Sequence, residues 1–193
     1  MQAEHVSEAE GDGRPPSSVE RPSVFRDIRR WARDLVLAVL IAIVIVVFFY
    51  QPVKVEGTSM LPELGDQERV FVNKFVYHIE EIAPGDIVVF KYPLDPERSY
   101  IKRVIGVPGD VVEIRAGNVW VNGERLEEEY VSPEHVDSRS FPPVAVTPDS
   151  YFVMGDHRNE SNDSRMWGLV PVQNIDGKAV FRYWPFDRMG KVE

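Results

Sequence analysis

The sequence predicts a mostly β protein: a single N-terminal transmembrane helix followed by an antiparallel β domain. Three observations carry this. An apolar run from Leu35 to Tyr50 holds no charge. After it come short β-branched or aromatic runs at close spacing, and turn residues separate them. The runs are Val70–Val72, Ile87–Phe90, Val111–Ile114, Val119–Val121, Tyr151–Met154 and Ala179–Tyr183. The turns are Pro84-Gly85-Asp86, Pro108-Gly109-Asp110, Ala116-Gly117-Asn118 and Asn122-Gly123. Asn122-Gly123 suits a type I′ hairpin, whose two central residues need positive φ. No run of helical period beyond the apolar segment is long enough to compete, so residues 51–193 read as an antiparallel sandwich or barrel. The stretch from about 124 to 147, rich in Glu and then in Ser, Pro and His, breaks the strand rhythm and reads as an excursion from the main sheet.

The element order begins with residues 1–24, which read as a disordered tail. They are acidic and rich in Ser, Gly and Pro, with few groups able to build a core. Residues 25–50 follow as a basic flank and an apolar span. A membrane-crossing helix wants about 20 apolar residues; this run is slightly short, and Trp31 and Tyr50 at its ends suit the headgroup belts. A buried core helix would show a polar stripe, and none is present. A cleaved leader is disfavoured because Gln51-Pro52-Val53-Lys54 lacks the small-x-small pattern. Arg21, Arg26, Arg29, Arg30 and Arg33 precede the span and only Lys54 follows it closely. The excess of positive charge places the N-terminus in the cytoplasm and residues 51–193 outside.

Composition narrows the function. Asp and Glu number 31 against 22 Lys and Arg among 193 residues, a net charge of -9. Nucleic-acid binding needs a basic face to displace counterions, so it is disfavoured. Cysteine is absent, which removes disulfide scaffolds, zinc ribbons and thiol nucleophiles. No HExxH, no paired histidines and no EF-hand spacing occur, so no metal site is expected. No phosphate-loop ending is present either, and no cofactor is implied.

Ser, Thr, Lys or a carboxylate must then supply any nucleophile. Ser59 lies in Gly57-Thr58-Ser59-Met60-Leu61-Pro62, a turn that could present both its Oγ and its N–H. Alone, a serine in a Gly/Pro turn is more often structural than reactive. Its proton needs an acceptor. His157 has Asp156 beside it, but neighbours on an extended segment point to opposite faces, so Asp156 is poorly placed to orient it. Lys102 alternates with Tyr100 and Val104 on one strand face, with Ile101, Arg103 and Ile105 on the other. Such a lysine is usually a surface residue with its stem on the sheet. If buried, desolvation lowers its pKa and frees an amine to act as a base. The run Gly155 to Arg165 holds no apolar group but glycine, and its bland reading is a solvated loop.

Taken together, Gly57–Pro62, Tyr100–Asp110 and Gly155–Gly168 resemble, in order and spacing, the type I signal peptidases of bacteria. The resemblance runs from the anchor to about Pro185. It implies a membrane-anchored serine endopeptidase of the serine–lysine dyad class, which removes signal peptides from exported preproteins at the outer face of the cytoplasmic membrane. By the family pattern Ser59 matches the nucleophile and Lys102 the general base. Ser161 matches a serine whose hydroxyl orients the lysine amine. Asp163 and Arg165 match a supporting pair, and Gly155 and Asp156 the start of the same segment. The family fold is a mostly antiparallel β catalytic core with a smaller inserted β region, placed here at about 112–147. Met60, Leu61 and Tyr100 are candidates for the substrate groove. The implied partners are preproteins with small residues before the cut, the lipid bilayer and, at that location, the export channel.

Two departures matter. Some relatives carry a second hydroxyl two residues before the nucleophile, where this chain has Gly57, so the oxyanion must rely on main chain with Thr58 a doubtful helper. His157 stands where asparagine is common. The competing reading from another class is an anchored β module that binds a partner and catalyses nothing; it leaves the three motifs as coincidence.

Overall fold

The computed structural model describes residues 24–193, so the expected disordered tail, apart from its last position, lies outside the described residues. The chain divides into two units between Ala42 and Ile43. Helix α1 (Val24–Phe49) crosses that division. Pro52, which cannot continue a helix, follows its end closely. The uncharged part of α1, Leu35 to Phe49, covers about 22 Å at 1.5 Å per residue, against about 30 Å of hydrocarbon in a bilayer. Among the described residues no helix is long and apolar enough to cross a membrane. Its apolar side chains, Val36, Leu37 and Leu40 among them, are exposed.

The strands are β1 (Tyr50–Lys54), β2 (Arg69–Asn73), β3 (Ile87–Tyr92), β4 (Asp95–Gly106), β5 (Val111–Arg115), β6 (Asn118–Val121), β7 (Glu124–Arg125), β8 (Phe141–Ala145) and β9 (Ser150–Met154). After the short helix α2 (Ser164–Trp167) come β10 (Val170–Pro171), β11 (Ile175–Trp184) and β12 (Gly190–Lys191). They form an eight-stranded sheet in the order β1-β2-β11-β3-β4-β9-β10, with β12 on β11, and a four-stranded sheet in the order β7-β6-β5-β8. The recorded pairings are antiparallel. The domain is therefore mostly antiparallel β, and the small sheet takes up Val111 to Ala145.

Turn chemistry explains the small sheet's hairpins. Asn122 and Gly123 have φ of 54° and 85°, the pair of left-handed residues a type I′ turn demands. β1 and β8 were not legible as strands because both contain proline, at Pro52 and at Pro142 and Pro143. Each is the edge strand of its sheet, the position where a missing N–H costs no ladder bond. β8 also falls inside the stretch read as an excursion; that stretch contributes the edge of a second sheet.

Side-chain alternation sorts the chain into three apolar clusters. Val55, Met60, Leu64, Val70 and Val72 sit under β1 and β2. Ile105, Val112, Ile114, Val119 and Phe152 join the small sheet to β4 and β9. Val88, Phe90, Val104 and Val153 fill the remaining face. Strand β4 is thus covered on both faces, and everything from Lys102 to Gly106 is buried. Lys102 is 4% exposed and Arg103 3%. Two adjacent cations on opposite faces are both taken out of water, which happens only where something compensates them.

Candidate active site

Ser59 is presented by the loop between β1 and β2. The loop closes on itself through Val55 N–H to Glu68 O (2.8 Å) and Gln67 N–H to Val55 O (2.9 Å). Within it Leu64 N–H donates to Met60 O (2.8 Å) and Leu61 N–H to Thr58 O (3.0 Å). Met60 and Leu64 turn inward as the loop's own plug, 1% and 0% exposed. Gly57 has φ +91°, a backbone region that disfavours any side chain, and its N–H donates to Asp66 Oδ1 at 2.7 Å. That bond, more than any other contact, holds the Asp66 carboxyl below its ordinary pKa. The Ser59 N–H is given to no acceptor among the described residues, and Ser59 itself is half-buried.

Lys102 comes from the middle of β4, opposite Val88 of β3. Its Nζ lies 2.5 Å from Ser59 Oγ, across a sequence separation of 43 residues. Burial pushes its pKa down from 10.5 to about 8; the charges of Asp163 and Asp156 oppose the shift and that of Arg165 assists it. At that pKa an amine is free at pH 7 about 300 times more often than an exposed lysine. A groove of about 410 Å³ opens beside the two groups, lined by Val53, Val55, Thr58, Ser59, Tyr100, Ile101 and Lys102 among others. Of the three groove candidates from sequence, Tyr100 lines it. Met60 and Leu61 do not: the bridge between Met60 and Leu64 turns Met60 into the core, and Leu61 lies outside the lining.

The segment after β9 passes behind this pair. Far from being a solvated loop, it is a set of buried ion pairs. Asp156 accepts two bonds from Arg103, at 2.9 and 2.7 Å. Arg165 holds Asp163 with two bonds of 2.8 Å and reaches Asp137 at 2.9 Å and Arg158 O at 2.8 Å. Arg158 binds Glu128 through both guanidinium tips and Gly155 O through Nε. Asp163 also accepts from Gly155 N–H at 3.0 Å. Forked guanidinium–carboxylate geometry is what lets such charges stay ionised out of water. Ser161 is brought to the site but not in the expected way. Its Oγ is buried and makes no hydrogen bond with any described residue, Lys102 included.

Four residues of this framework carried no role in the sequence reading. Arg103 sits on the strand face away from Lys102 and is stacked on Tyr130, 3.9 Å from the ring centroid; its one local sign was a cation between Ile101 and Ile105. Arg158 read as one more polar residue of a loop. Glu128, inside Glu127-Glu128-Glu129, looked like a solvated acidic run, and Asp137 stood in the same excursion. Among the described residues, no group of three or more His, Asp or Glu is arranged to hold a metal.

Gly155 packs tightly against the nucleophile loop. A Cβ there would fall 2.3 Å from Ser161 Oγ and 2.4 Å from Ser59 O. Gly155→Ala is expected to lower stability by about 1–3 kcal/mol and to displace Ser59 with it. Denaturant melts and turnover measured together check this; a variant that melts and turns over like wild type contradicts it.

Comparison with known proteins identifies the family. A model of the family described as Signal peptidase, peptidase S26, matches residues 28–184. "Signal peptidase I" of Leptolyngbya laminosa is 36% identical over 92% of this chain and 91% of its own length. "Signal peptidase I S" of Bacillus subtilis (strain 168) is 38% identical over 89% and 97%. A solved signal peptidase I from Enterococcus faecalis V583 covers 52% of this chain and 97% of its own, at 31% identity and TM-score 0.46. The family model and the two curated relatives extend over most of the chain, from the helix through the last long strand, and show that the chain belongs to the signal peptidase family, peptidase S26.

Proposed function

We propose that this protein removes N-terminal signal peptides from exported preproteins by a serine–lysine mechanism, anchored by α1 in the cytoplasmic membrane with its β domain outside. The observation that carries the mechanism is the 2.5 Å approach of a buried Lys102 amine to Ser59 Oγ. The peptide carbonyl enters the groove beside β1, an edge strand able to pair with an extended chain. Ser59 Oγ attacks the carbonyl carbon while its proton passes to neutral Lys102. The Ser59 N–H, given to no other acceptor among the described residues, meets the developing oxyanion. The Lys102 ammonium then gives its proton to the leaving amine as the C–N bond breaks. Water, deprotonated by the same amine, opens the acyl ester and releases Ser59. Arg165, Asp163, Asp156 and Gly155 fix the frame behind the pair.

For the anchor, the support is the exposed apolar surface of α1 and its arginine-rich start. Trp31 and Tyr50 at headgroup depth, with basic side chains reaching outward, make up the missing length. Protease added outside intact cells is expected to digest residues 51–193 and to spare residues 1–33; a protected β domain would reverse the orientation.

The reaction is tested with the purified chain in detergent and a preprotein. Cleavage at the signal junction by wild type, and none by Ser59→Ala, is the expected result. Equal cleavage by both would remove Ser59 from the mechanism. No cleavage by folded wild type would return weight to a binding module.

A further inference from the structure

The chain segment behind Ser59 carries a side chain that the mechanism above does not use. His157 is 8% exposed. Its backbone N–H donates to Ser59 O at 3.1 Å. Its ring Nδ1 lies 3.1 Å from Thr58 O. A carbonyl oxygen can only accept, so Nδ1 carries a proton and donates it to Thr58 O, while Nε2 faces Glu160 Oε2 at 3.8 Å. Two consecutive carbonyls of the nucleophile loop are thereby gripped by one residue. The His135 ring, from the small-sheet region, lies against the His157 ring with centroids 3.9 Å apart and fixes its orientation. On the other side Gly155 packs against the same Ser59 carbonyl.

From this geometry we infer that His157 is a positioning residue for the nucleophile: its Nδ1–H holds the Thr58 carbonyl and so sets where Ser59 Oγ stands relative to Lys102. The inference rests on the reading of Ser59 as the nucleophile. The His157 ring itself touches neither reacting group. Its contribution is geometric, and a misplacement of about 1 Å at a reacting atom costs about 100-fold in rate.

The position of the donor makes the role testable. An asparagine amide places an N–H near where Nδ1 stands, whereas a glutamine amide reaches toward Nε2. His157→Leu, His157→Asn and His157→Gln are compared with wild type and with Ser59→Ala in preprotein cleavage, with kcat, KM and melting temperature for each. A loss of about 10- to 100-fold in kcat is expected for Leu, with KM little changed, recovery in Asn to within about threefold, and no recovery in Gln. Full kcat in Leu, failure of Asn to recover, or equal recovery by Gln overturns the assignment. Should Leu fail to fold, the Asn–Gln contrast alone decides. Cleavage by Ser59→Ala would instead defeat the underlying nucleophile reading, whatever the His157 variants do.

Discussion

Lys102→Met is expected to make the protein more stable at pH 7 while abolishing most of its turnover. The amine is buried, and its pKa falls from 10.5 to about 8 because the interior disfavours the ammonium. Below about pH 8 the proton is bound in folded and unfolded chain alike, and the folded state bears the full cost of the buried charge, roughly 3 kcal/mol. Between pH 8 and 10.5 the unfolded chain holds a proton that the folded chain has released, so stability rises with pH. Above 10.5 the lysine is neutral in both and the cost is gone. Methionine removes the cost at every pH, so its advantage is largest at pH 7 and vanishes near pH 11. Denaturant melts at the two pH values check the sign; a pH-independent difference contradicts a neutral lysine. Turnover is expected to fall about 100- to 10,000-fold, the range of a lost general base.

Arg165→Ala is the second large effect. Its guanidinium makes four bonds, two to Asp163, one to Asp137 and one to Arg158 O, with a side chain 1% exposed against an Asp163 that is fully buried. Removing it strands a buried carboxylate, at a cost of about 3–5 kcal/mol. Arg165→Lys is expected to recover little, because one ammonium cannot reproduce a planar fork. A second consequence separates this from mere destabilisation. The Arg165 charge helps to lower the Lys102 pKa and that of Asp163 raises it. Loss of Arg165 moves the acid limb of activity to higher pH in whatever fraction remains folded. A loss under 1 kcal/mol with an unmoved limb would contradict this assignment.

These expectations show which parts of the site were legible in sequence. The strands rich in β-branched residues were, because their alternation and the turns between them can be read from neighbouring positions. Ser59 and Lys102 were singled out only by the resemblance of three ordered motifs; taken alone, their neighbours are those of a turn serine and a surface lysine. The ion-pair frame was not: Arg103 meets Asp156 across 53 positions and Arg158 meets Glu128 across 30. No local pattern distinguishes Glu128 from the glutamates beside it. The run from Gly155 to Arg165 has the composition of a solvated loop, yet Asp156, His157, Arg158, Asp163 and Ser164 are buried. Lys102 is buried rather than exposed, and its amine meets Ser59 across 43 positions, a long-range contact that no local pattern shows. The expected Ser161–Lys102 contact came from the family pattern and not from spacing, and among the described residues that hydroxyl has no hydrogen-bond partner.

The central claim is that a neutral lysine takes the proton from Ser59, and the pH dependence of kcat/KM on a preprotein tests it most directly. The account predicts one acid limb, rising about tenfold per pH unit and levelling near pH 8, the pKa burial assigns to Lys102. A profile flat from about pH 6 to 10, or a limb near the ordinary histidine pKa of about 6.5 that disappears in His157→Asn, would contradict it.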